Sequence, residues 1–192
     1  RSGTVPHVET SDTPRMEHSL DMRLGDVLPH VQKRIMESTR WMGVPTLKSP
    51  YDAWVYQELI HEVQPKTIIE IGIYNAGSTL YLANLCDLIG VGTVLGVDLN
   101  AERIHPAARE HDRIELFIGD AVSMAPEVKR RIDPTGPVLV IEDSAHTYDN
   151  TLEVCRTYGQ FVTPGSYLIV EDTICHHGLD VGPNPGPYEA VS

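Results

Sequence analysis

The sequence predicts a doubly wound α/β domain with a mostly parallel sheet. From residue 67 onward, short apolar runs alternate with segments of helical periodicity. Such runs are typical of strands that helices cover on both faces. Two of the runs end on the same pair of carboxylates, Glu142-Asp143 and Glu171-Asp172. Carboxylates are poor strand residues, so these strand ends indicate a functional site.

The composition limits the classes of function. The chain has 192 residues, 41% of them hydrophobic and 22% charged, which suits one soluble globular domain. No apolar run approaches the roughly 18 residues of a membrane span, and no signal peptide is visible. The formal charge of -12 disfavours nucleic acid and favours a small neutral or cationic ligand with a divalent metal. Three cysteines without framework spacing suit a reducing compartment, so we expect a cytoplasmic protein.

Two segments precede the alternating region. Residues 1–16 are polar and aperiodic, which predicts a flexible N-terminal arm. Residues 17–64 form a predicted N-terminal helical segment. Its first helix runs from Leu20 to Ile35 and is interrupted by a proline, which predicts a kink or two short helices. Its second helix is predicted between Pro50 and Pro65.

Residues 65–192 form the predicted α/β domain. Helices are predicted between successive strands, most clearly at Ser78–Gly90 and Tyr148–Val162, and more weakly at residues 106–111 and 125–131. The chain stops soon after the fifth strand, so we expect that the natural chain is longer and that its C-terminal part is absent here. The predicted strands are Thr67–Gly72, Thr93–Asp98, Ile114–Asp120, Pro137–Asp143 and Ser166–Asp172.

The first three strand ends carry residues that suit a nucleoside. In "EIGIYNAGS", Gly72 allows a ligand close to the backbone, and free N–H groups open the following helix. Asp98 can bind both ribose hydroxyls, and Asp120 in "GDA" can meet an adenine amino group. Each feature alone also fits a tight turn or a helix N-cap. Together they favour an adenosine site.

The last two strand ends predict a metal site. Consecutive parallel strands are often neighbours, which brings Asp143 close to Glu171 and Asp172. Clustered carboxylates repel unless a positive group lies between them, and hard oxygen ligands suit Mg²⁺. His146 follows Asp143 in the same loop, which makes it a candidate catalytic residue. Helix capping is the alternative for the two aspartates, and "CHH" at Cys175–His177 lacks the spacing of a zinc site.

Taken together, "EIGIYNAGS", Asp98, "IEDSAH" and "IVEDTI" resemble class I, S-adenosylmethionine-dependent, metal-dependent O-methyltransferases, which have a Rossmann-like fold. The catechol O-methyltransferase pattern implies Asp143, Glu171 and Asp172 as metal ligands and His146 as base. The usual base there is lysine, so His146 is a departure.

A more specific resemblance is to the cephalosporin hydroxylase and rhamnosyl O-methyltransferase family of actinobacteria. It rests on "D-x-x-H", "VED", "PNPGPYEA" and the entry segment "WMGVPTLKSPYDAWVYQEL", and it covers about residues 40–190. Within that family the chain resembles mycobacterial sugar O-methyltransferases, such as those of methylmannose polysaccharide synthesis.

The resemblance implies transfer of a methyl group from S-adenosylmethionine to a hydroxyl of a small-molecule or oligosaccharide acceptor. It implies that Mg²⁺ binds the acceptor oxygens and that His146 removes the proton. An oxidoreductase or hydroxylase with nicotinamide or non-haem iron stays open, as do a non-catalytic nucleotide-binding module and a homo-oligomeric state. The predicted cofactor-binding residues are Glu70, Gly72, Tyr74, Ser78, Asp98, Asp120, Ala121 and Asp143.

Overall fold

The structure is a computed structural model that describes residues 21–192, so the predicted arm over residues 1–16 lies outside the described part. Helices and strands alternate from β3 onward. In chain order the elements are α1 (Leu24–Ser38), β1 (Arg40–Trp41), β2 (Val44–Pro45), α2 (Pro50–Val63), β3 (Thr67–Ile71), α3 (Gly77–Ile89), β4 (Thr93–Asp98), α4 (Pro106–Arg109), β5 (Ile114–Ile118), α5 (Ala121–Arg131), β6 (Val138–Glu142), α6 (Tyr148–Tyr158), a 3-10 turn (Gly159–Phe161), β7 (Leu168–Val170) and α7 (Pro187–Val191).

Five strands form one parallel sheet in the order β5-β4-β3-β6-β7, which confirms the predicted fold class. From β3 the chain adds β4 and β5 on one side and then returns to add β6 and β7 on the other side. The topological switch point therefore lies between β3 and β6. Ile71 pairs with Glu142, and Glu142 pairs with Val170. The predicted fourth and fifth strands are therefore neighbours, and their carboxyl ends lie at one edge with the end of β3.

The strand residues alternate between two apolar layers. Ile69 and Ile71 pack with residues of α5 and α6, such as Val128 and Val154. Ile68 lies in the other layer, with residues of α2 and α3. Burial of these two layers is the main favourable contribution to folding. Because side chains alternate along a strand, Glu70 projects into the same layer as Ile68.

Several element boundaries differ from the sequence prediction. The helix α1 is one continuous helix with Pro29 as its sixth residue, where proline removes the hydrogen bond that an N–H would donate to the carbonyl of Gly25. The predicted start of this helix at Leu20 lies outside the described residues. The helix α5 begins at Ala121, since the Asp120 side chain caps it. The two-residue strands of the β1–β2 hairpin were not predicted, because they are too short to show periodicity. No helix among residues 21–192 is long and apolar enough to cross a membrane.

Gly72 allows the ends of β3 and β6 to approach each other closely. Its φ is +85°, and its N–H donates to the carbonyl of Val97 at 2.8 Å. A Cβ at this position would lie 2.1 Å from the carbonyl oxygen of Asp143. The backbone after Asp143 is therefore in contact with the turn after β3, and only glycine fits between them.

We expect Gly72→Ala to destabilise the fold far more than Gly165→Ala. Gly165 has nearly the same backbone angle, with φ of +83°, but no atom lies within 4 Å of an added Cβ. The control variant Gly165→Ala therefore measures only the strain of the left-handed conformation, roughly 1–2 kcal/mol. The clash at Gly72 should raise the loss of unfolding free energy to about 4 kcal/mol or more. Denaturant unfolding measures both, and equal losses would contradict the close approach.

Candidate active site

A cavity of about 1260 Å³ opens at the carboxyl ends of the sheet. Its wall combines the turns that follow β3 to β7 with residues of α1 and α2. This is the edge at which parallel α/β sheets bind their ligands. All but one of the predicted site residues line it: Gly72, Tyr74, Ser78, Asp98, Asp120, Ala121, Asp143, His146, Glu171 and Asp172.

Glu70 is the exception, because it does not line this cavity, and its predicted contact with the cofactor stays a prediction. Its side chain is fully buried, and it lines a small second cavity of about 20 Å³. The Thr79 hydroxyl donates to Oε2 at 2.6 Å, while Oε1 has no hydrogen-bond partner among the described residues. Burial raises the pKa of Glu70, and the nearby Lys48 ammonium and the Ser78 and Thr79 hydroxyls partly oppose this effect. The strand pattern alone did not reveal which side of the wall Glu70 occupies.

Asp98 is held in a fixed orientation at the tip of β4. Its Oδ2 accepts from the Tyr74 N–H at 2.8 Å, and its Oδ1 accepts from the Asn100 N–H at 2.9 Å. Tyr74 and Ala76 both have positive φ, so the turn after β3 bends toward the Asp98 carboxylate. The Arg103 guanidinium lies 4.8 Å from the centroid of the Tyr74 ring. The structure thus brings the first two predicted strand ends together.

Asp120 performs the capping role that the sequence left open. Its Oδ1 accepts from the Ser123 N–H at 2.9 Å at the start of α5. That hydrogen bond lowers the pKa of the Asp120 carboxyl below its usual value. Asp120 and Ala121 nevertheless lie on the cavity wall, so capping and ligand contact are compatible at this position.

Asp143, His146 and Asp172 form a group that could hold a metal ion. One ligand atom from each lies within 4.8 Å of the others, and His146 Nε2 is 3.3 Å from Asp172 Oδ2. His146 and Asp172 both have φ of +56°, a conformation that costs of order 1–3 kcal/mol in non-glycine residues. Two carboxylates and an imidazole suit a divalent cation. The group includes two of the three predicted metal ligands, with His146 in place of Glu171.

Glu171 instead binds two residues that the sequence analysis did not identify. Its Oε1 accepts from Lys48 Nζ at 2.7 Å and from the Tyr56 hydroxyl. Lys48 Nζ also donates to Asp143 Oδ2, and the lysine is only 9% exposed. A single ammonium group therefore bridges the carboxylates that end β6 and β7.

Lys48 carries its charge despite its burial. Burial by itself lowers the pKa of the Lys48 ammonium. The negative charges of Asp143, Glu171 and Glu70 together raise this pKa by more than burial lowers it, so the net pKa lies above the usual value. Burial also raises the pKa of Asp143, and Lys48 opposes that effect. Lys48 is 95 positions from Asp143 in the chain, so no local spacing connects them. The one signal for it was its place in the entry segment "WMGVPTLKSPYDAWVYQEL".

Position 48 is fixed by the start of α2. The Ser49 hydroxyl accepts from the Tyr51 N–H at 3.2 Å, and Pro50 occupies the first helical turn, where a missing N–H costs little. Tyr56 follows on the buried face of the same helix. The segment that was predicted to be N-terminal to the α/β domain thus contributes two polar groups to its candidate site.

A buried network supports the loop between Asp143 and His146. The Ser144 hydroxyl donates to Glu142 Oε1 at 2.8 Å, and the Asn150 amide donates to Ser144 Oγ at 2.6 Å. Burial raises the pKa of Glu142 to about 7. The two glutamates of the Glu-Asp pairs therefore differ in role: Glu142 is structural, whereas Glu171 faces the cavity.

The "PNPGPYEA" segment packs beside this loop. The Tyr148 N–H donates to the Pro185 carbonyl at 3.3 Å, and His177 Nε2 lies 2.6 Å from Glu189 Oε1. That contact is the main reason that the pKa of Glu189 falls to about 2. His176 is paired with Asp180. The histidines of "CHH" thus contact separate carboxylates, which agrees with the prediction that they form a loop beside the site.

The chain belongs to the Rhamnosyl O-methyltransferase/CmcI family, whose family model matches residues 33–192. It is similar to a rhamnosyl O-methyltransferase of Mycobacterium leprae, with 37% identity over 165 residues, and to one of Mycobacterium bovis, with 34% identity over 164 residues. Both alignments cover 82% of this chain. They cover 70% and 66% of the two relatives, so the chain spans about two thirds of their length.

Solved structures agree with this family assignment. A magnesium and S-adenosylmethionine structure of CmcI is 26% identical, with a TM-score of 0.60 over 85% of this chain and 69% of CmcI. A CmcI apo-structure is 29% identical, with a TM-score of 0.63 over 89% of this chain and 71% of CmcI. An O-methyltransferase of Bacillus cereus, at 17% identity and a TM-score of 0.59 over 86% of this chain and 73% of its own, shares the fold.

Proposed function

We propose that this chain transfers a methyl group from S-adenosylmethionine to a hydroxyl of a sugar or saccharide acceptor. The observation that carries the proposal is a single cavity lined both by Asp98 and by the Asp143–His146–Asp172 group. A nucleoside-type site beside a cation-type site is the arrangement that metal-assisted methyl transfer needs. The family match and the rhamnosyl O-methyltransferase names of the relatives support a sugar hydroxyl as the acceptor.

The tips of β3, β4 and β5 are assigned to the cofactor. S-adenosylmethionine supplies the methyl group from its sulfonium. Asp98 would accept hydrogen bonds from the ribose hydroxyls, and the two backbone N–H groups that it binds keep its carboxylate oriented. Gly72 lines the cavity beside the end of β3, and Asp120 and Ala121 line the wall assigned to adenine. Binding in a fixed orientation lowers the entropic part of the barrier to transfer.

Asp143 and Asp172 are the residues that would hold Mg²⁺, with Glu171 as a third carboxylate ligand. A bound Mg²⁺ supplies positive charge that lowers the pKa of an acceptor hydroxyl. Oxygen atoms are the preferred ligands of this ion, so the assignment leaves the His146 imidazole available for proton transfer.

His146 is assigned the role of general base. Its side chain is 29% exposed on the cavity wall, so an acceptor in the cavity can reach it. Asp172 lies 3.3 Å from Nε2 and stabilises the ring after it takes the proton. Lys48 is not assigned the role that a lysine has as base in the catechol O-methyltransferase pattern, because Lys48 is held in its charged form between carboxylates.

The alternatives have less support. A non-haem iron site of the oxygenase type uses two histidines and one carboxylate, whereas the group found among residues 21–192 has one histidine and two carboxylates. A nucleotide-binding module without catalysis would not need that group at the end of its cavity. A nicotinamide enzyme would share the Asp98 site, so the choice of cofactor has to be tested by binding.

We expect Asp98→Ala to weaken binding of S-adenosylhomocysteine by about 2 kcal/mol, because the ribose loses a charged hydrogen-bond acceptor. Calorimetry measures the change. Asp133→Ala is the matched control, since Asp133 also accepts a backbone N–H bond, from Thr135 in its own loop, but is not on the cavity wall. Tight binding of NAD by the wild type, with no heat from S-adenosylmethionine or its product, would contradict the cofactor assignment.

A mass-spectrometric screen of rhamnosides and other saccharides with S-adenosylmethionine and Mg²⁺ should find an acceptor that gains one methyl group. Chelator should abolish turnover and added Mg²⁺ should restore it, because the hydroxyl is acidified by the ion. Asp143→Ala and Asp172→Ala should lose turnover and keep their affinity for S-adenosylhomocysteine. Asp180→Ala, which removes an exposed carboxylate outside the cavity, is the control. Normal turnover in excess chelator would show that the carboxylates are structural.

His146→Ala should lower kcat by roughly 10²–10⁴-fold, the usual contribution of a general base. Binding of S-adenosylhomocysteine should not change. The pH dependence of kcat should differ between the wild type and the alanine variant, because only the wild type has a proton acceptor at this position. His176→Ala is the control, because His176 is paired with Asp180. A His146→Ala variant with a near-normal kcat and the wild-type pH profile would remove His146 from the mechanism.

A further inference from the structure

We propose that Lys48 is the resident cation of the carboxylate cluster, and that its ammonium group withdraws toward Glu70 when a divalent cation binds. The proposal rests on the metal-assisted function proposed above and adds a residue to it. It also gives Glu70 a different role from the one predicted, because Glu70 would receive Lys48 and not the cofactor.

Lys48 donates to two of the carboxylates that are assigned to the metal ion. Its Nζ binds Asp143 Oδ2 and Glu171 Oε1, and these two carboxylates belong to the metal ligand set predicted from the sequence. Asp143 also belongs to the group with His146 and Asp172. A divalent cation at Asp143 and Glu171 would therefore compete for the same carboxylates with an ammonium group. Two cations this close repel strongly in a buried site, so one of them has to move.

A small cavity lies next to Lys48. The small cavity of about 20 Å³ is lined by Lys48, Tyr56, Glu70 and Ser78, among others. About 10–15 Å³ is enough for one water molecule, and an ammonium group is of similar size. Lysine has a flexible stem, which suits it for a short movement between two partners. The cavity thus offers room next to Lys48, and neither Asp143, Glu171 nor Asp172 lines it.

Glu70 is a buried carboxylate that could bind the ammonium group of Lys48 after it moves. Its carboxylate is fully buried, and its Oε1 has no hydrogen-bond partner within residues 21–192. A buried polar atom without a partner is costly, so a second partner at Oε1 would stabilise the protein. Glu70 already interacts electrostatically with Lys48. Lys48 is therefore the described cation best placed to satisfy it.

Asp143 and Glu171 have a cation beside them in both states. Without metal, Lys48 offsets the repulsion between Asp143 and Glu171. With metal, the ion takes that role, Glu171 is released to the ion, and Lys48 offsets Glu70. Asp143 and Glu171 therefore keep a positive neighbour in both states, and the loss of that neighbour would be strongly destabilising. The exchange also explains how the three carboxylates predicted from the sequence could bind one ion although Glu171 is now turned to Lys48.

Isothermal titration with Mg²⁺ tests the exchange through a double-mutant cycle. Glu70→Gln should lower Mg²⁺ affinity by about 10-fold or more in the wild-type background, because Lys48 loses its charged destination. In the Lys48→Met background the same change should have little effect, since no ammonium has to move. Lys48→Met alone should bind Mg²⁺ at least as tightly as the wild type. Circular dichroism and binding of S-adenosylhomocysteine check that each variant is folded.

Lys48→Arg is a second variant that keeps the charge. A guanidinium group is too large for the small cavity, so this variant should bind Mg²⁺ about 10-fold or more weakly than the wild type. If the charge of residue 48 acted only at a distance, the arginine and lysine proteins would bind Mg²⁺ equally. This comparison decides the question even if Lys48→Met does not fold.

Two results would overturn the proposal in distinguishable ways. If Glu70→Gln lowered Mg²⁺ affinity equally in the wild-type and the Lys48→Met backgrounds, Glu70 would act only as a distant charge. The metal-assisted function would then stand without the exchange. If the wild type bound no Mg²⁺ by titration, the metal assignment itself would fail, and the role of Lys48 with it.

Discussion

The mutual repulsion of carboxylates at one edge of the sheet is the constraint on which the candidate site depends. Asp143, Glu171 and Asp172 end neighbouring strands, and Glu70 lies buried behind them. Such a group is stable only with a positive charge among its members. In this structure the charge is Lys48, brought in by the segment that precedes α2. The N-terminal segment is thus part of the active-site region, even though it precedes the strand–helix alternation.

Close backbone packing produces the density of charged groups. Gly72 leaves room for the carbonyl of Asp143, and Gly77 would place a Cβ 2.0 Å from the carbonyl oxygen of Pro45. The first contact joins β3 to β6, and the second brings the chain before Lys48 against the start of α3. His146 and Asp172 add left-handed backbone at the cavity wall. Strained residues of this kind are typical of functional sites, where the surrounding fold holds them in place.

The residues of the candidate site that lie at strand ends could be predicted from the sequence. Asp98 and Asp143 lie at the ends of strands whose apolar runs are evident in the sequence, and both line the cavity. Asp120 was placed correctly, but its hydrogen bond to α5 was only one of two alternatives. Glu70 precedes its strand end by one residue, and alternation turns its side chain into the apolar layer, behind the cavity wall. Such one-residue differences decide which side of a sheet a group occupies.

The sequence by itself determined the doubly wound fold, the family and the strand ends that line the cavity, because these depend on periodicity and on local motifs. Only the tertiary structure decided the partners of each carboxylate. Lys48 reaches Asp143 and Glu171 across 95 and 123 positions of the chain, and Tyr56 reaches Glu171 across 115. Contacts at such separations leave no spacing in a single sequence. They arise from the way α2 and the residues before it pack on the sheet, which places Lys48 and Tyr56 beside Glu171. The contact of Asp172 with His146 instead joins the loops that follow the neighbouring strands β6 and β7.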